Sequence, residues 1–388
     1  MPTSMIGWAH TKFGRLDDED IESLIVRVAM DALSDAGLEP ADVDEIFVGT
    51  MNGGFVKQGF PASLVHQASD DFRFTPSTHV ENACATGSAA IHQGLNAIDA
   101  NKARVALAIG VEKMTEVTTQ EAGDALLGAS YVKEEAEIDH GFAGVFAEVT
   151  QRYFQQYGDK SSALAKIAAK NHANGMNNPL AHFRKDFGYR FCNEVSTKNP
   201  YVAPPLRRTD CSAISDGAAA VVLAADDIAA TAEKAVDFRA AVQVNDFLPM
   251  RKRDVLKFEG PARAWSSALA DAGIALEDLS FAEVHDCFTI AELLIYEAMG
   301  LAPQGQGARV VEEGTTTMDG RLPVNASGGL KAKGHPVGAT GVSMHVLAAK
   351  QLTGEAGGIQ IPGAALGGIL NMGGMAVANY VSILEPRR

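Results

Sequence analysis

The sequence predicts an α/β fold made of two similar halves, the first of which carries an inserted excursion. Two ordered internal echoes and the chain length lead there. ALSDAGLEPADVDEIFVG, beginning at Ala32, and ALADAGIALEDLSFAEVH, beginning at Ala268, agree at seven of eighteen positions. Both read as an amphipathic helix closed by a glycine, a short spacer with an aspartate, and an apolar strand. A second echo follows in the same order, ATGSAAIHQGL from Ala85 and ATGVSMHVLAA from Ala339, each a small-residue helix start. Within 388 residues, room for two to three domains, this is the pattern of a duplicated unit with two equivalent sheets.

Taken in chain order, the opening MPTSMIGWAHTKFG lacks the basic and long apolar regions of a secretory signal. The N-terminal half is drawn as residues 1–228 and includes the insertion at about 116–205. There FAEVTQRYFQQYG and SALAKIAAKNHANGM carry helical patterning, broken by polar, Asn- and Pro-bearing stretches. Long insertions of this kind commonly cover a ligand site. SDGAAAVVLA, from Ser215, belongs to the end of this half, and residues 229–388 form the C-terminal half. From Ala356 to Leu384 there is no charge, a run long enough to imitate a membrane span. Its seven glycines, Pro362, Gln360 and two asparagines fit two buried strands instead, GAALGGIL and MAVANYVSIL, joined by a tight turn at NMGG. The final EPRR is no targeting tripeptide.

Composition excludes several classes. The formal net charge of −15 offers no clustered positive field for nucleic acid. Four cysteines without CxxC spacing do not make a secreted disulfide framework, so a reducing cytoplasm is expected, with no membrane attachment.

Four clusters can carry chemistry. In ENACATGSAAIHQG, Cys84 stands before a small-residue helix, where free N–H groups and the helix dipole favour a thiolate and can lower its pKa. Its own amide can donate to a developing oxyanion. In FAEVHDCFTIAELL, period-two alternation puts His285 and Cys287 on one side while the strand lasts. In NASGGLKAKGHPVGATG, His335 lies in a glycine-rich loop and can take a proton from a thiol. In NMGG, the amide of Gly373 can supply a second oxyanion donor. Each has a plainer alternative: a buried structural cysteine, hydrogen-bonded core histidines, a simple hairpin. Cys84, His285, Cys287 and His335 can also ligate zinc, but neither CxxC nor HExxH is present and no metal is expected. Cys192, Cys211, His92 and His345 are read as structural.

NACATGSAA, SDGAAAVV, HDCF and GHPVGATG, in this order and over nearly the whole chain, closely resemble the thiolase superfamily. HDCF is similar to the branch related to sterol carrier protein 2 thiolase. The resemblance implies a five-layer αβαβα sandwich of duplicated halves with an inserted loop domain, assembled as a homodimer or homotetramer. It implies Cys84 as the acylated nucleophile, His335 as its activator, the amides of Cys84 and Gly373 as oxyanion donors, and His285 with His335 polarising a thioester oxygen. The position of the family's C-terminal acid/base cysteine is Asn371 here, and Cys287 resembles its replacement. Phe288 is placed at the substrate. Phe142 and Ala143 stand where short-chain members often carry His-Met, so a preference for acetoacetyl-CoA is not implied. Coenzyme A and acyl-CoA enter as substrates rather than bound cofactors. Candidates for the CoA phosphates are Arg207, Arg208 and the run Arg251, Lys252, Arg253, although a solvated basic cluster is the plainer reading of each. The implied reaction is reversible CoA-dependent cleavage of a 3-ketoacyl-CoA. The alternatives are a noncatalytic or partner-dependent acyl-CoA-binding subunit beside a small OB-fold partner, a decarboxylating synthase, and a retro-aldolase.

Overall fold

In the computed structural model, which describes residues 3–387, both copies of the first repeat stop their helices in the same way. The helix Ile21–Ala36 ends on Gly37 at φ 67°, and its counterpart Glu259–Ala272 ends on Gly273 at φ 65°. A side chain would be strained there, so the shared glycine fixes both ends. The shared aspartate then closes the following turn. Asp42 accepts the N–H of Glu39 and Asp278 accepts that of Ala275, each at 2.8 Å.

The strands are β1 (Ser4–His10), β2 (Glu45–Gly49), β3 (Ser77–Val80), β4 (Val105–Glu112), the small hairpin β5 (Tyr201–Ala203) and β6 (Leu206–Arg207), β7 (Gly217–Ala224), β8 (Val236–Asn245), β9 (Phe281–Val284), β10 (Gly367–Gly373) and β11 (Ala378–Pro386). The first copy runs β3-β2-β4-β7-β1 and the second β9-β10-β11-β8. Their pairing senses agree. β2 is parallel to β4, which is antiparallel to β7, just as β9 is parallel to β10, which is antiparallel to β11. A parallel bridge from Ala282 to Val324 stands beside β9 in the place that β3 takes beside β2. The expectation of two sheets needs one amendment. β1 meets β8 through Ser4–Asp237 and Met5–Val236, which joins them into a single nine-stranded order.

Layering explains the uninterrupted apolar strands. β4 and β7 are buried along their whole length because helices cover both faces. Ile21–Ala36 packs outside β1 and β7, and Glu259–Ala272 outside β8 and β11. Between the sheets lie Thr86–Asp99, on β2 and β4, and Thr340–Thr353, which touches β4 and β7 on one side and β10 and β11 on the other. The result is five layers in the order αβαβα.

The two central helices meet through the repeated ATG motif. A Cβ on Gly87 would lie 2.7 Å from the Val342 nitrogen, and one on Gly341 would collide with the Ser88 nitrogen. Backbone atoms cannot swing aside, so Gly341→Ala is expected to cost about 1–3 kcal/mol of stability. A drop in melting temperature with the far-UV spectrum unchanged would show it; an unchanged melting temperature would mean that the helices are not locked here.

The excursion between β4 and β7 is helical where expected, at Phe142–Tyr157 and Ser161–Met176. The uncharged C-terminal run folds as β10 and β11, and among the described residues no helix is long and apolar enough to cross a membrane. The turn lies later than expected. Asn371, Met372 and Gly373 end β10, and Gly374 begins the turn.

Candidate active site

Ahead of the helix Thr86–Asp99 the chain turns sharply. Ala83 is held at φ 49° and Ala85 is the N-cap, which leaves Cys84 between them at the helix start, 2% exposed. Non-glycine residues in left-handed backbone are strained and cluster at functional sites. The expected lowering of the thiol pKa is not found. Burial pushes Cys84 up to about 12, with the Glu112 charge adding to the rise. Its own amide and that of Gly374 act in the opposite direction and do not win. The Gly374 amide that acts on the sulfur adjoins Gly373, the expected oxyanion donor. Gly374 sits at φ 60°, and a Cβ there would press on the Ala129 carbonyl at 2.8 Å. Glycine suits the position because the backbone must turn left-handed and stay close.

The ring tautomers of the two histidines follow from their partners. Thr340 Oγ1 donates its hydrogen to the Pro336 carbonyl at 2.9 Å, so it accepts from His335 Nδ1–H at 2.7 Å. That leaves the Nε2 lone pair of His335 free to take a proton. Asn371 Nδ2 donates to the Cys84 carbonyl at 3.0 Å, and a carbonyl can only accept, which orients the amide. The same nitrogen lies 3.0 Å from His285 Nδ1, which therefore accepts, and the ring hydrogen of His285 sits on Nε2 with no protein partner. The rings stand nearly perpendicular with centroids 5.0 Å apart. Burial holds both imidazoles neutral, His335 down to about 3 and His285 well below the usual histidine range.

Ligating atoms of Cys84, His285 and His335 all lie within 4.8 Å of one another. Such spacing also resembles a zinc site, but the Asn371 hydrogen bond makes His285 Nε2 an N–H donor rather than a lone pair. The donor set suits a substrate oxygen better than a metal.

Cys287 reaches the site by a route other than strand alternation. β9 ends at Val284, and His285, Asp286 and Cys287 form an irregular link to the helix Thr289–Ala298. Asp286 secures that link by accepting the N–H groups of Leu330 at 2.6 Å and Lys331 at 3.2 Å, together with Asn171 Nδ2 at 2.7 Å. The HDCF segment is thereby tied to the stretch that leads into His335. Burial, then the neighbouring Cys84, pushes the Cys287 thiol well up.

Cys84, Cys287 and His335 open onto a cavity of about 1390 Å³. Its apolar wall includes Leu126, Phe142, Ala143 and Phe288, and Phe288 stacks on Phe146 at 4.5 Å. Of the basic candidates only Arg208 lines it. Arg207 is buried against Asp210 at 2.7 Å, Arg251 pairs with Glu134, Lys252 lies over the Phe247 ring and Arg253 donates to the Met375 carbonyl. Exposed Lys185 and Lys198 join Arg208, and no sequence signal marked them. Cys211 also lines the cavity rather than serving only the core. Glu112 was missed as well. Buried at the end of β4, it accepts from Thr50, Met51, Asn52 and Gly338, and burial raises its carboxyl to about 7.

Two family models match the chain: "Thiolase, N-terminal domain" over residues 3–227 and "Thiolase C-terminal domain-like" over residues 242–386. The chain is 38% identical over 387 residues to an acetyl-CoA acetyltransferase of Methanothermobacter thermautotrophicus, covering 98% of this chain and 99% of that protein. It is 33% identical over 408 residues to sterol carrier protein 2 of Homo sapiens, covering 98% of this chain and 72% of that protein. An Ltp2-ChsH2(DUF35) aldolase structure shares the fold with a TM-score of 0.84 at 19% identity, covering 100% of this chain and 98% of that one. With Cys84, Cys287 and His335 from three of the motifs at one cavity and the matches running nearly end to end, the chain belongs to the thiolase family and is a thiolase-type acyltransferase.

Proposed function

We propose that this enzyme is an acyl-CoA C-acyltransferase that reversibly cleaves a 3-ketoacyl-CoA with coenzyme A, giving acetyl-CoA and a shortened acyl-CoA. The observation that carries the reading is the convergence of Cys84, His285 and His335 within 4.8 Å. His335 Nε2 takes the Cys84 proton as the sulfur attacks the 3-keto carbon. Because the thiol is pushed to about 12 and the imidazole down to about 3, the resting pair is neutral and the proton moves with bond formation. Amides of Cys84 and Gly374, with Gly373 alongside, hold the oxyanion. The bond between the substrate's second and third carbons breaks, leaving an acyl group on Cys84 and an acetyl-CoA enolate. His285 Nε2–H, joined by the Nε2–H that His335 has just gained, holds the enolate oxygen while Cys287 protonates the carbon. Coenzyme A then gives its thiol proton to Cys287 and takes the acyl group, and Cys84 recovers its proton from His335.

Lys185, Lys198 and Arg208 suit the CoA phosphates, and Phe142 and Phe288 the acyl chain. No cofactor enters the scheme. The terminal strand β3, only partly buried and paired on one side with β2, leaves an edge for a homodimer or homotetramer, and a small OB-fold partner remains part of the proposal. Four free cysteines suit a reducing compartment such as the cytoplasm.

Intact mass after mixing with acetyl-CoA tests the reading. The expected result is a covalent acetyl adduct on Cys84. No adduct with acetyl-CoA or with longer acyl-CoAs would sink the proposal in favour of a binding subunit. Thr340→Val should lower kcat by about 10–100-fold, as losing a group that orients a histidine does, with a smaller change in KM. Unchanged turnover would remove Thr340 from the scheme.

A further inference from the structure

The short helix Gly329–Lys333 carries a lysine that the scheme above does not use. Lys331 is 3% exposed and lines the cavity shared by Cys84 and His335. Among the described residues, no carboxylate lies within 4 Å of its ammonium. The other two fully buried lysines are both partnered: Lys113 with Asp216 at 2.8 Å and Lys333 with Ser343 at 2.8 Å. The acids nearest Lys331 are engaged elsewhere, Asp286 with backbone N–H groups and Asn171, Asp210 with Arg207 and Thr289. His172, 2% exposed, lines the same cavity within reach of the Lys331 charge, with an unpartnered Nδ1 and its ring held edge-on to Phe187 at 4.7 Å. The Lys331 side chain is mostly buried and its ammonium meets the cavity with no protein carboxylate to neutralise it, so a ligand that supplies an anion there gains a ready counter-charge.

We propose that Lys331 and His172 form a subsite for an anionic oxygen of the substrate, either a carboxylate on the acyl group or a phosphate of coenzyme A. The proposal rests on the acyl-CoA reading above. The site lies close to the reacting groups, because the Lys331 backbone is bonded to Asp286, between His285 and Cys287. The long pantetheine arm keeps the CoA phosphates away from the thioester, and exposed Lys185, Lys198 and Arg208 already serve them. A carboxylate on the acyl chain is therefore the better match for the buried position, and it would extend the substrate range to dicarboxylic acyl groups.

The test is calorimetric titration of the Cys84→Ala protein, which cannot be acylated, with pantetheine, CoA, butyryl-CoA and succinyl-CoA, before and after adding Lys331→Met. For a carboxylate subsite, succinyl-CoA binds about tenfold or more tighter than butyryl-CoA, and Lys331→Met removes that preference. For a phosphate subsite, Lys331→Met weakens all three CoA ligands alike and spares pantetheine. Equal affinities before and after the change, or a loss that includes pantetheine, overturn the subsite. Lys331→Gln takes the place of the methionine variant if that one does not fold, and Lys331→Arg should retain the preference. Absence of any acyl adduct on the unsubstituted protein overturns the thiolase reading instead, while the binding ratios remain readable.

Discussion

Cys84→Ala is expected to lower CoA-dependent cleavage of a 3-ketoacyl-CoA at least ten-thousandfold and to abolish the acyl adduct. The expectation is that large because nothing else at the site can take the role. The four-residue turn through Ala83 aims this thiol, and the amides of Cys84 and Gly374 act on it. His335 Nε2 is the free base within reach, and removing the sulfur leaves it with no proton to accept. Cys287 is close by, but burial pushes its thiol well up, and that cause persists when Cys84 is replaced. The substitution removes one sulfur from a well-packed site and should leave the melting temperature within a few degrees. Stopped assays on both proteins, with intact mass on the same samples, read the result. Cleavage surviving at more than a hundredth of the original rate would mean that the acyl group is not carried on Cys84.

Cys287→Ala should separate the two halves of the reaction. Acetyl-CoA should still acylate Cys84, because the coenzyme A thiolate is a stable leaving group. Complete turnover should fall by about 10²–10⁴-fold, the usual contribution of a positioned acid or base, because the enolate carbon lacks its proton donor. The position of Asn371 sharpens the point. The resemblance places the family's second cysteine there, and an amide cannot exchange a proton with carbon. Here it donates instead to the Cys84 carbonyl and to His285 Nδ1. Normal thiolysis by the alanine variant would return the acid/base role to some other group.

The parts of this molecule that were legible in the sequence are those in which a local rule suffices. The glycine stops at Gly37 and Gly273, the aspartates Asp42 and Asp278, and the helix starts at ATG each act within a few residues of themselves. Groups that depend on contacts between distant stretches were hidden. Asn371 reaches the carbonyl of Cys84 across 287 positions of chain, and that bond decides which nitrogen of His285 carries the hydrogen. The thiol pKa was misjudged because a helix start argues for a thiolate while burial, invisible in a motif, argues more strongly against it. His285 and Cys287 were expected to share a strand face, yet β9 ends before them and Asp286 anchors the link from the side. Nothing in the KAK run singles out Lys331; only the packing shows that water cannot reach most of it.

The contact between Gly87 and Gly341 bears on more than stability. Cys84, the proposed nucleophile, precedes one of these glycines by three residues, and His335, the proposed base, precedes the other by six. Neither repeated unit contains both, so each on its own is half of a lock. Sliding one central helix along the other by a single turn, about 5.4 Å, would part the thiol from the imidazole while leaving every strand of both sheets intact. Catalytic turnover in this enzyme is therefore a gauge of alignment between the units. Two separately produced fragments, divided between β7 and β8, would be silent apart and would signal by regained acylation when they had docked in the correct register.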